Sequence, residues 1–157
     1  MRGKYKENQR VELLSDGARL LTESMREWAR SVREQECSCG ALRELYGYYG
    51  VEAALPIGNE LMCYVSVATQ QRLALHGQNV ETLADDEWLM IRIVRAVERD
   101  DPETAYRLCA DHFPGSLATT LFRVMGAFVS VAVKHGLSFC GTRRPTLVTV
   151  LGDPRTR

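Results

Sequence analysis

The stretch that decides the fold lies at residues 116–135 and reads SLATTLFRVMGAFVSVAVKH. Its residues are apolar or small on almost every face of a helix, and such a helix has to be surrounded by lipid or by other helices. Arg123 and Lys134 leave only ten uncharged residues between them, whereas a membrane-spanning helix needs about twenty. The sequence therefore predicts the central helix of a soluble helical domain and no membrane span.

A second helical signal covers the N-terminal part of the chain. Apolar residues recur at steps of three and four from Val11 to Val32, which places them on one stripe of a long helix. Asn8 is a candidate N-cap for this helix, and Gly17 within it costs about 1 kcal/mol relative to alanine. The opposite face carries charged residues that pair favourably at helical spacing, and we expect them to be solvated: Glu12, Arg19, Glu23, Arg26, Glu27, Arg30, Arg33 and Glu34.

The middle of the chain predicts two further helices. The segment Cys37-Ser-Cys-Gly40 breaks the first helix, and a short second helix then covers residues 41–49. Pro56 interrupts the helical pattern again. Asn59 can cap a third helix that ends at Gly77, because glycine is typical of the position just after a helix.

Start and stop signals for the remaining helices are clearer. The segment Thr82-Leu-Ala-Asp85 resembles a capping box at the start of a fourth helix. Asp101-Pro102 combines a capping side chain with proline at the first helical position, and the fifth helix stops before Pro114. With the apolar helix at 116–135, closed by Gly136, these elements predict a single-domain all-α bundle of five or six helices.

The domain organisation follows from these elements. We expect residues 9–136 to form the helical domain and residues 1–8 to form a polar, flexible tail. Residues 137–157 form a C-terminal tail in which β-branched residues at 146–151 favour a short strand. That strand has no partner in the chain, so it is either part of a loose tail or pairs with another subunit. A chain of 157 residues fits one domain.

The formal net charge is zero, which argues against a global attraction to nucleic acid or to an anionic membrane. The charge is nevertheless uneven. The stretch from Glu81 to Asp111 contains nine acidic residues and four arginines, whereas the stretch from Arg123 to Arg157 contains six basic residues and one acidic residue. A nucleic-acid-associated regulator that uses the basic C-terminal tail is therefore an alternative function. Its arginines are Arg155, Arg157 and the two candidates for phosphate contact, Arg143 and Arg144.

The five cysteines are dispersed and odd in number, and the N-terminal residues lack the apolar core of a secretory signal. We expect free thiols and a cytoplasmic location. Cys109 and His112 share a helical face at a spacing that suits zinc, with Cys37 and Cys39 as further candidate ligands. Paired Cys-x-x-Cys motifs are absent, however, and Cys109 also fits a small core position. We expect no metal and no cofactor, and a metal-binding or small-ligand-binding bundle remains an alternative function.

The segment Leu42–Leu55 admits two further interpretations. One is a helix-turn-helix with its turn at Gly50, although Tyr46 is large where that motif packs closely and no base-contacting side chain precedes Pro56. The other is an aromatic patch, which is either a half-buried packing layer, the interpretation we favour, or a surface for a partner or ligand. Its members are Tyr46, Tyr48, Tyr49 and Tyr64.

The sequence carries no motif of a known catalytic chemistry, so we assign no catalytic residue and expect no enzyme. It has no Gly-rich phosphate loop, paired-carboxylate motif or nucleophile elbow. The histidines all lie near predicted helix C-termini, where the helix dipole favours a cation. That position is a sufficient structural reason for His76, His112 and His135.

The leading functional prediction is a non-enzymatic interaction or regulatory module that acts through protein–protein contacts. The apolar stripe of the first helix is longer than the short helices can cover, so part of it should be exposed. The alternative is that the third, fourth and sixth helices together cover the stripe within one chain. An exposed apolar patch of this kind marks an interface, most commonly that of a homodimer, with another protein as the second option. The side chains predicted to form this interface are Leu14, Leu21, Met25 and Trp28.

Overall fold

The computed structural model describes residues 10–70 and 74–141 of the 157-residue chain. The described residues form six α-helices and two short 3-10 helices, at Val11–Leu13 and Glu52–Ala54. The α-helices are α1 (Asp16–Glu34), α2 (Cys39–Tyr48), α3 (Leu55–Gln70), α4 (Asp85–Glu98), α5 (Pro102–His112) and α6 (Gly115–Lys134). The predicted all-α fold is confirmed. The predicted tail at 1–8, the cap at Asn8 and the possible strand at 146–151 lie outside the described residues.

Helix α6 is the element that most of the others pack against, as its sequence predicts. It contacts α3, α4 and α5 and the 3-10 helix that precedes α3. Phe128 is fully buried, and the rings of Tyr46 and Phe139 meet it edge-on, with centroids 6.5 and 5.7 Å away. The helix ends at Lys134, and two residues later Gly136 has a φ of +89°, a conformation that glycine adopts without a steric penalty.

The opposite side of α6 faces outward, which corrects the prediction of a helix surrounded on all sides. Small or polar residues dominate this face because they need little cover from water, and they include Ser116, Thr119, Arg123, Ala127, Ser130 and Lys134. Among the described helices, α6 alone is long and apolar enough to cross a membrane by length and composition. In the structure, 39% of its apolar window is buried inside the protein.

Helix α1 begins later than the sequence predicts. Residues Val11–Leu13 form a 3-10 turn, and the α-helix starts only at Asp16. The reason is a contact with a distant segment, since the Val11 N–H donates to the Glu81 carbonyl at 2.8 Å and Arg10 pairs with Thr82 in an antiparallel bridge. A bridge at Arg10 and a 3-10 turn thus replace the first α-helical turn that the hydrophobic spacing suggests.

Most of the apolar stripe of α1 is covered by the chain itself, which corrects the prediction of an exposed seam. Leu14 is 3% exposed, and Leu21 and Met25 are fully buried. Trp28 is partly buried and packs against the core, whereas Val32, where the stripe ends, is 57% exposed. Helices α2, α3 and α4 all contact α1 and together cover the buried part of the stripe. Leu14, Leu21 and Met25 are therefore not available to a partner.

Helix α3 starts at Leu55, four residues before the predicted cap at Asn59. Pro56 does not interrupt it, because proline is tolerated in the first turn, where its missing N–H has no helical acceptor. Gly58 lies within the helix against α2, and a Cβ at this position would be 1.9 Å from the Tyr46 hydroxyl. The predicted end at Gly77 is also wrong, since the described residues before it, from position 74, are not helical.

The starts of α4 and α5 differ in how well they were predicted. At α4 the Glu87 side chain accepts the Ala84 N–H at 2.9 Å, so Ala84 is the N-cap residue. The helix therefore starts two residues later than the predicted cap at Thr82 implies. At α5 the prediction is confirmed, because Asp101 Oδ1 accepts the Thr104 N–H at 3.2 Å and Pro102 opens the helix. A local signal sufficed for α5.

Residues 137–141, predicted as the start of a tail, are packed between α1 and α4. The Gly17 N–H donates to the Ser138 carbonyl at 2.8 Å, and a Cβ on Gly17 would lie 2.5 Å from that oxygen. Arg95 Nε donates to the Phe139 carbonyl at 2.8 Å, and Glu98 Oε2 accepts the Cys140 N–H at 2.7 Å. This segment closes the bundle and belongs to the folded domain.

Candidate functional site

The ion pairs between the described residues are concentrated around α1. Each involves one of four arginines, namely Arg10, Arg19, Arg26 and Arg30. Their partners are seven glutamates: Glu12, Glu23, Glu27, Glu34, Glu36, Glu81 and Glu87. Seven carboxylates against four guanidinium groups leave three negative charges in excess among these eleven residues, which we call the acidic face.

Arg26 and Glu87 form the buried centre of this face, with side chains 3% and 0% exposed. Arg26 Nε donates to Glu87 Oε1 at 2.8 Å and Arg26 Nη2 to Oε2 at 2.9 Å. The guanidinium also donates to the carbonyls of Val80 and Thr82 at 2.7 and 2.9 Å. The prediction that Arg26 is solvated is wrong, because the connection between α3 and α4 folds back across α1 and surrounds it with acceptors.

Glu87 fixes the same connection from the other side. Its Oε1 accepts the His76 N–H at 3.1 Å, and its Oε2 accepts the Ala84 N–H at 2.9 Å. His76 Nδ1 lies 2.9 Å from the Thr82 carbonyl. Because the guanidinium and the carboxylate both hydrogen-bond to groups of the chain itself, we interpret the Arg26–Glu87 pair as a structural clamp and not as a reactive group.

Glu27 was also predicted to be solvated, and the structure corrects this, since it is 7% exposed. It accepts two hydrogen bonds from Arg30, from Nη2 at 2.6 Å and from Nε at 3.0 Å, and a third from Gln78. The hydrogen bonding from Arg30 is the main reason why the pKa of Glu27 is held below its usual value. Glu27 is therefore charged and engaged at neutral pH.

Two adjoining cavities open onto the acidic face, and we call them together the groove. They share Glu23, Arg26 and Gln78 as lining residues. The first, of about 270 Å³, extends to Leu45 of α2, and the second, of about 240 Å³, extends along the connection to Glu81. Each is smaller than the usual range for a drug-sized ligand, so the groove suits individual side chains of a polypeptide better than an enclosed small molecule.

Glu23 lies at the junction of the two cavities, and its side chain is 33% exposed. Arg19 Nη2 donates to its Oε1 at 3.4 Å and the Tyr49 hydroxyl donates to its Oε2 at 3.3 Å, both long for hydrogen bonds. Arg19 Nε is buried and has no hydrogen-bond partner. Burial, and then the charge of Glu23, raise the pKa of Tyr49 well above its usual value, so its hydroxyl stays protonated. The groove thus contains the least satisfied polar groups of the acidic face.

The four tyrosines of the predicted aromatic patch are divided between core and surface. Tyr46 is buried against Gly58, and burial raises its pKa to about 12. Tyr64 and Tyr49 are half-buried and pack against the core. Tyr48 is 77% exposed and meets the Tyr49 ring edge-on, with centroids 5.0 Å apart. The Tyr49 hydroxyl contacts Glu23, a residue that lines the groove.

The candidate metal ligands are not brought together. Cys109 is fully buried, and burial raises its pKa to about 11, so it is a thiol at neutral pH. His112 instead points its Nδ1 at the Leu108 carbonyl, 2.8 Å away, and is exposed. Cys37 and Cys39 lie at the start of α2, and no group of three or more His, Cys, Asp or Glu side chains that could hold a metal occurs in the described part of the chain.

The described residues include no basic surface at the positions predicted to contact nucleic acid. Arg143 and Arg144 lie outside the described residues. In the helix-turn-helix interpretation, α3 would be the helix that reads bases, yet between Leu55 and Gln70 its only charged residue is Glu60. Such a helix lacks the arginines and lysines that contact phosphates and guanines.

The described site thus combines partly exposed carboxylates, a tyrosine hydroxyl and the apolar wall of α2, a set that matches basic side chains. Comparison with protein-family models, with curated proteins and with solved structures finds no match for this chain. The groove is therefore interpreted from its own residues.

Proposed function

We propose that this protein is a non-enzymatic helical module that acts through protein–protein contacts, and that its groove receives a basic polypeptide segment. The observation that carries the proposal is the excess of carboxylates over guanidinium groups in the lining of the groove, together with an apolar part of its wall at Leu45 and Ala41. The charged lining residues are Glu12, Glu23, Glu27, Glu81, Arg19 and Arg26. Arginine and lysine combine an apolar stem with a charged head, so their side chains complement both parts of the lining at once.

Glu23 is the residue we expect to anchor the segment. Its two intramolecular hydrogen bonds, at 3.3 and 3.4 Å, are longer than the 2.7–2.9 Å or so typical of a guanidinium–carboxylate bond. An incoming arginine can therefore offer Glu23 a better hydrogen bond than Arg19 does. The remaining glutamates of the acidic face add long-range attraction that depends on ionic strength.

The occupant we propose is the segment 142–157 of a second copy of the chain. Its sequence, TRRPTLVTVLGDPRTR, holds four arginines and one aspartate. Its three excess positive charges balance the three excess negative charges of the acidic face. A homodimer in which each copy binds the other's segment also requires no apolar seam on α1, which is consistent with the burial of Leu21 and Met25.

Sedimentation equilibrium of the full chain tests this proposal. We expect a dimer at low ionic strength that dissociates at about 1 M salt, where the Debye length falls to about 3 Å. Glu23→Gln removes one charge-assisted hydrogen bond, which is worth about 1.5–3 kcal/mol, and should weaken dimerisation at least about tenfold. The double variant R143A/R144A should weaken it by a comparable or larger factor.

The matched control is R107A/R123A, which changes the net charge equally at exposed positions of α5 and α6. We expect it to leave dimerisation unchanged. A chain that is monomeric at every concentration and salt level overturns the proposal, as does equal weakening by the control variant. If R143A/R144A spares the dimer but lowers affinity for a single-stranded RNA, the segment serves nucleic acid instead and the groove has another role.

A further inference from the structure

A pair of cysteines immediately before and at the start of α2 forms a cluster that the groove does not use. Cys37 and Cys39 are both exposed and flank Ser38. The other described cysteines are separate, since Cys63 is exposed on α3, Cys109 is buried and Cys140 is half-buried. Cys37 and Cys39 are thus the two thiols that sequence spacing alone keeps together.

The backbone between the two cysteines holds them at a distance that a disulfide can span. Ser38 has φ −88° and ψ −2°, in the right-handed helical region. Helical geometry places the Cα atoms of residues i and i+2 about 5.4 Å apart, inside the range of about 4.4–6.8 Å found in disulfides. Cys37 Sγ lies 3.4 Å from the backbone nitrogen of Cys39, so the Cys37 thiol lies beside the second cysteine.

The two thiols are not equivalent. Cys37 Sγ accepts the backbone N–H of Cys39 at 3.4 Å. The neighbouring Cys39 side chain is the main reason why the pKa of Cys37 is lowered, whereas the Cys37 side chain raises the pKa of Cys39. Arg43, one turn further along α2, opposes the rise at Cys39. Cys37 is thus the attacking thiol and Cys39 the resolving thiol.

We propose that Cys37 and Cys39 form a reversible dithiol–disulfide site whose co-reactant is a low-molecular-weight disulfide such as glutathione disulfide. The Cys37 thiolate attacks one sulfur of the co-reactant, a mixed disulfide forms at Cys37, and one glutathione thiolate leaves. Cys39 loses its proton and attacks the Cys37 sulfur, so that the Cys37–Cys39 bond forms and the second glutathione leaves. Two electrons pass from the dithiol to the co-reactant, and a reducing thiol reverses both steps.

Neither cysteine lines the groove, although Ala41 in the same turn of α2 does. The proposal is therefore tested by a chemical readout that does not depend on the dimer. Oxidation acts on the start of α2, since the Cys39 N–H loses a thiolate acceptor when Cys37 Sγ enters the disulfide. The first turn of α2 is the part of the fold that should respond.

Mass spectrometry of the full chain equilibrated in glutathione buffers tests the proposal. After acid quenching and alkylation, we expect the peptide with Cys37 and Cys39 to lose two hydrogens as glutathione disulfide increases. Cys39→Ser should stop the reaction at a glutathione adduct on Cys37, because the resolving thiol is absent. The control Cys63→Ser should behave like the unchanged protein.

Alkylation rates give a second, independent measure. At neutral pH, Cys37 should react faster than Cys63, a matched exposed thiol on α3. Cys39→Ala should reduce this advantage, because it removes the side chain that lowers the pKa of Cys37. The proposal is overturned if Cys37 and Cys63 react at equal rates, or if the unchanged protein accumulates the glutathione adduct without forming the internal disulfide.

Discussion

Replacing Glu87 by glutamine should destabilise the protein strongly, although the two side chains have nearly the same shape. Arg26 is 3% exposed and donates to both oxygens of Glu87. Glutamine leaves one acceptor oxygen and turns an NH₂ group towards the guanidinium, so a buried positive charge loses its counter-ion. Removing one partner of a buried ion pair costs about 3–5 kcal/mol, a large part of the roughly 5–15 kcal/mol that keeps a domain folded.

Thermal and urea unfolding followed by circular dichroism measure this loss. A folded chain of this size has an unfolding entropy of about 0.3 kcal/mol/K, so the expected cost lowers the melting temperature by about 9–15 °C. The slope of the urea transition should stay unchanged, because the fold and its buried area are the same.

Glu81→Gln is the matched control. Glu81 also meets an arginine at 2.8 Å, but the side chains of Arg10 and Glu81 are 45% and 77% exposed. An exposed pair contributes about 0–1 kcal/mol, so this variant should melt within about 3 °C of the unchanged protein. If Glu87→Gln and Glu81→Gln shift the transition equally, Arg26 is not desolvated and the clamp interpretation is wrong.

Three further outcomes are expected from unfolding measurements. Gly17→Ala should destabilise the protein by about 1–2 kcal/mol, because overpacking against the Ser138 carbonyl outweighs the gain in helix propensity. Gly126→Ala, with open space around it, should stabilise the protein by up to about 1 kcal/mol. Equal effects of the two variants would contradict the close approach of Ser138 to position 17. Phe128→Ala should cost about 3–5 kcal/mol, and a shift in melting temperature under about 2 °C would mean that the α6 core is assigned wrongly. Stability should fall from pH 9 towards 12, because the raised pKa values of Cys109 and Tyr46 keep both groups protonated when folded while the unfolded chain ionises. Cys109→Ala should remove the fall between about pH 9 and 10 and leave the part due to Tyr46 above pH 10, and a flat profile between pH 9 and 10 in the unchanged protein would refute burial of the thiol.

The parts of the fold that were predicted correctly have local causes. Asp101-Pro102 starts α5 through contacts within four residues, and Gly136 ends α6 through a backbone conformation that glycine favours. The composition of residues 116–135 likewise identified the helix against which α3, α4 and α5 pack. Such signals are complete within one or two helical turns, so a single sequence contains them.

The site could not be predicted because its partners are far apart in the chain. Arg26 and Glu87 are separated by 61 positions, and helical spacing relates a residue only to neighbours three or four positions away. One sequence signal was nevertheless present: Thr22 and Ser24, small polar residues beside the apolar stripe, are buried and widen the covered surface of α1. Gly58 also depends on a distant partner, because the absence of a side chain there makes room for Tyr46 and does not break the helix.

The contact between Gly17 and Ser138 has a consequence for protein synthesis. Because the Gly17 N–H finds its acceptor 121 positions later, the first helix emerges from the ribosome long before the segment that completes its packing. Chains are made from the N-terminus at about 5–20 residues per second, so α1 spends several seconds with its apolar stripe uncovered. During that interval the nascent chain, unlike the finished protein, presents Leu21 and Met25 to chaperones and to neighbouring nascent chains.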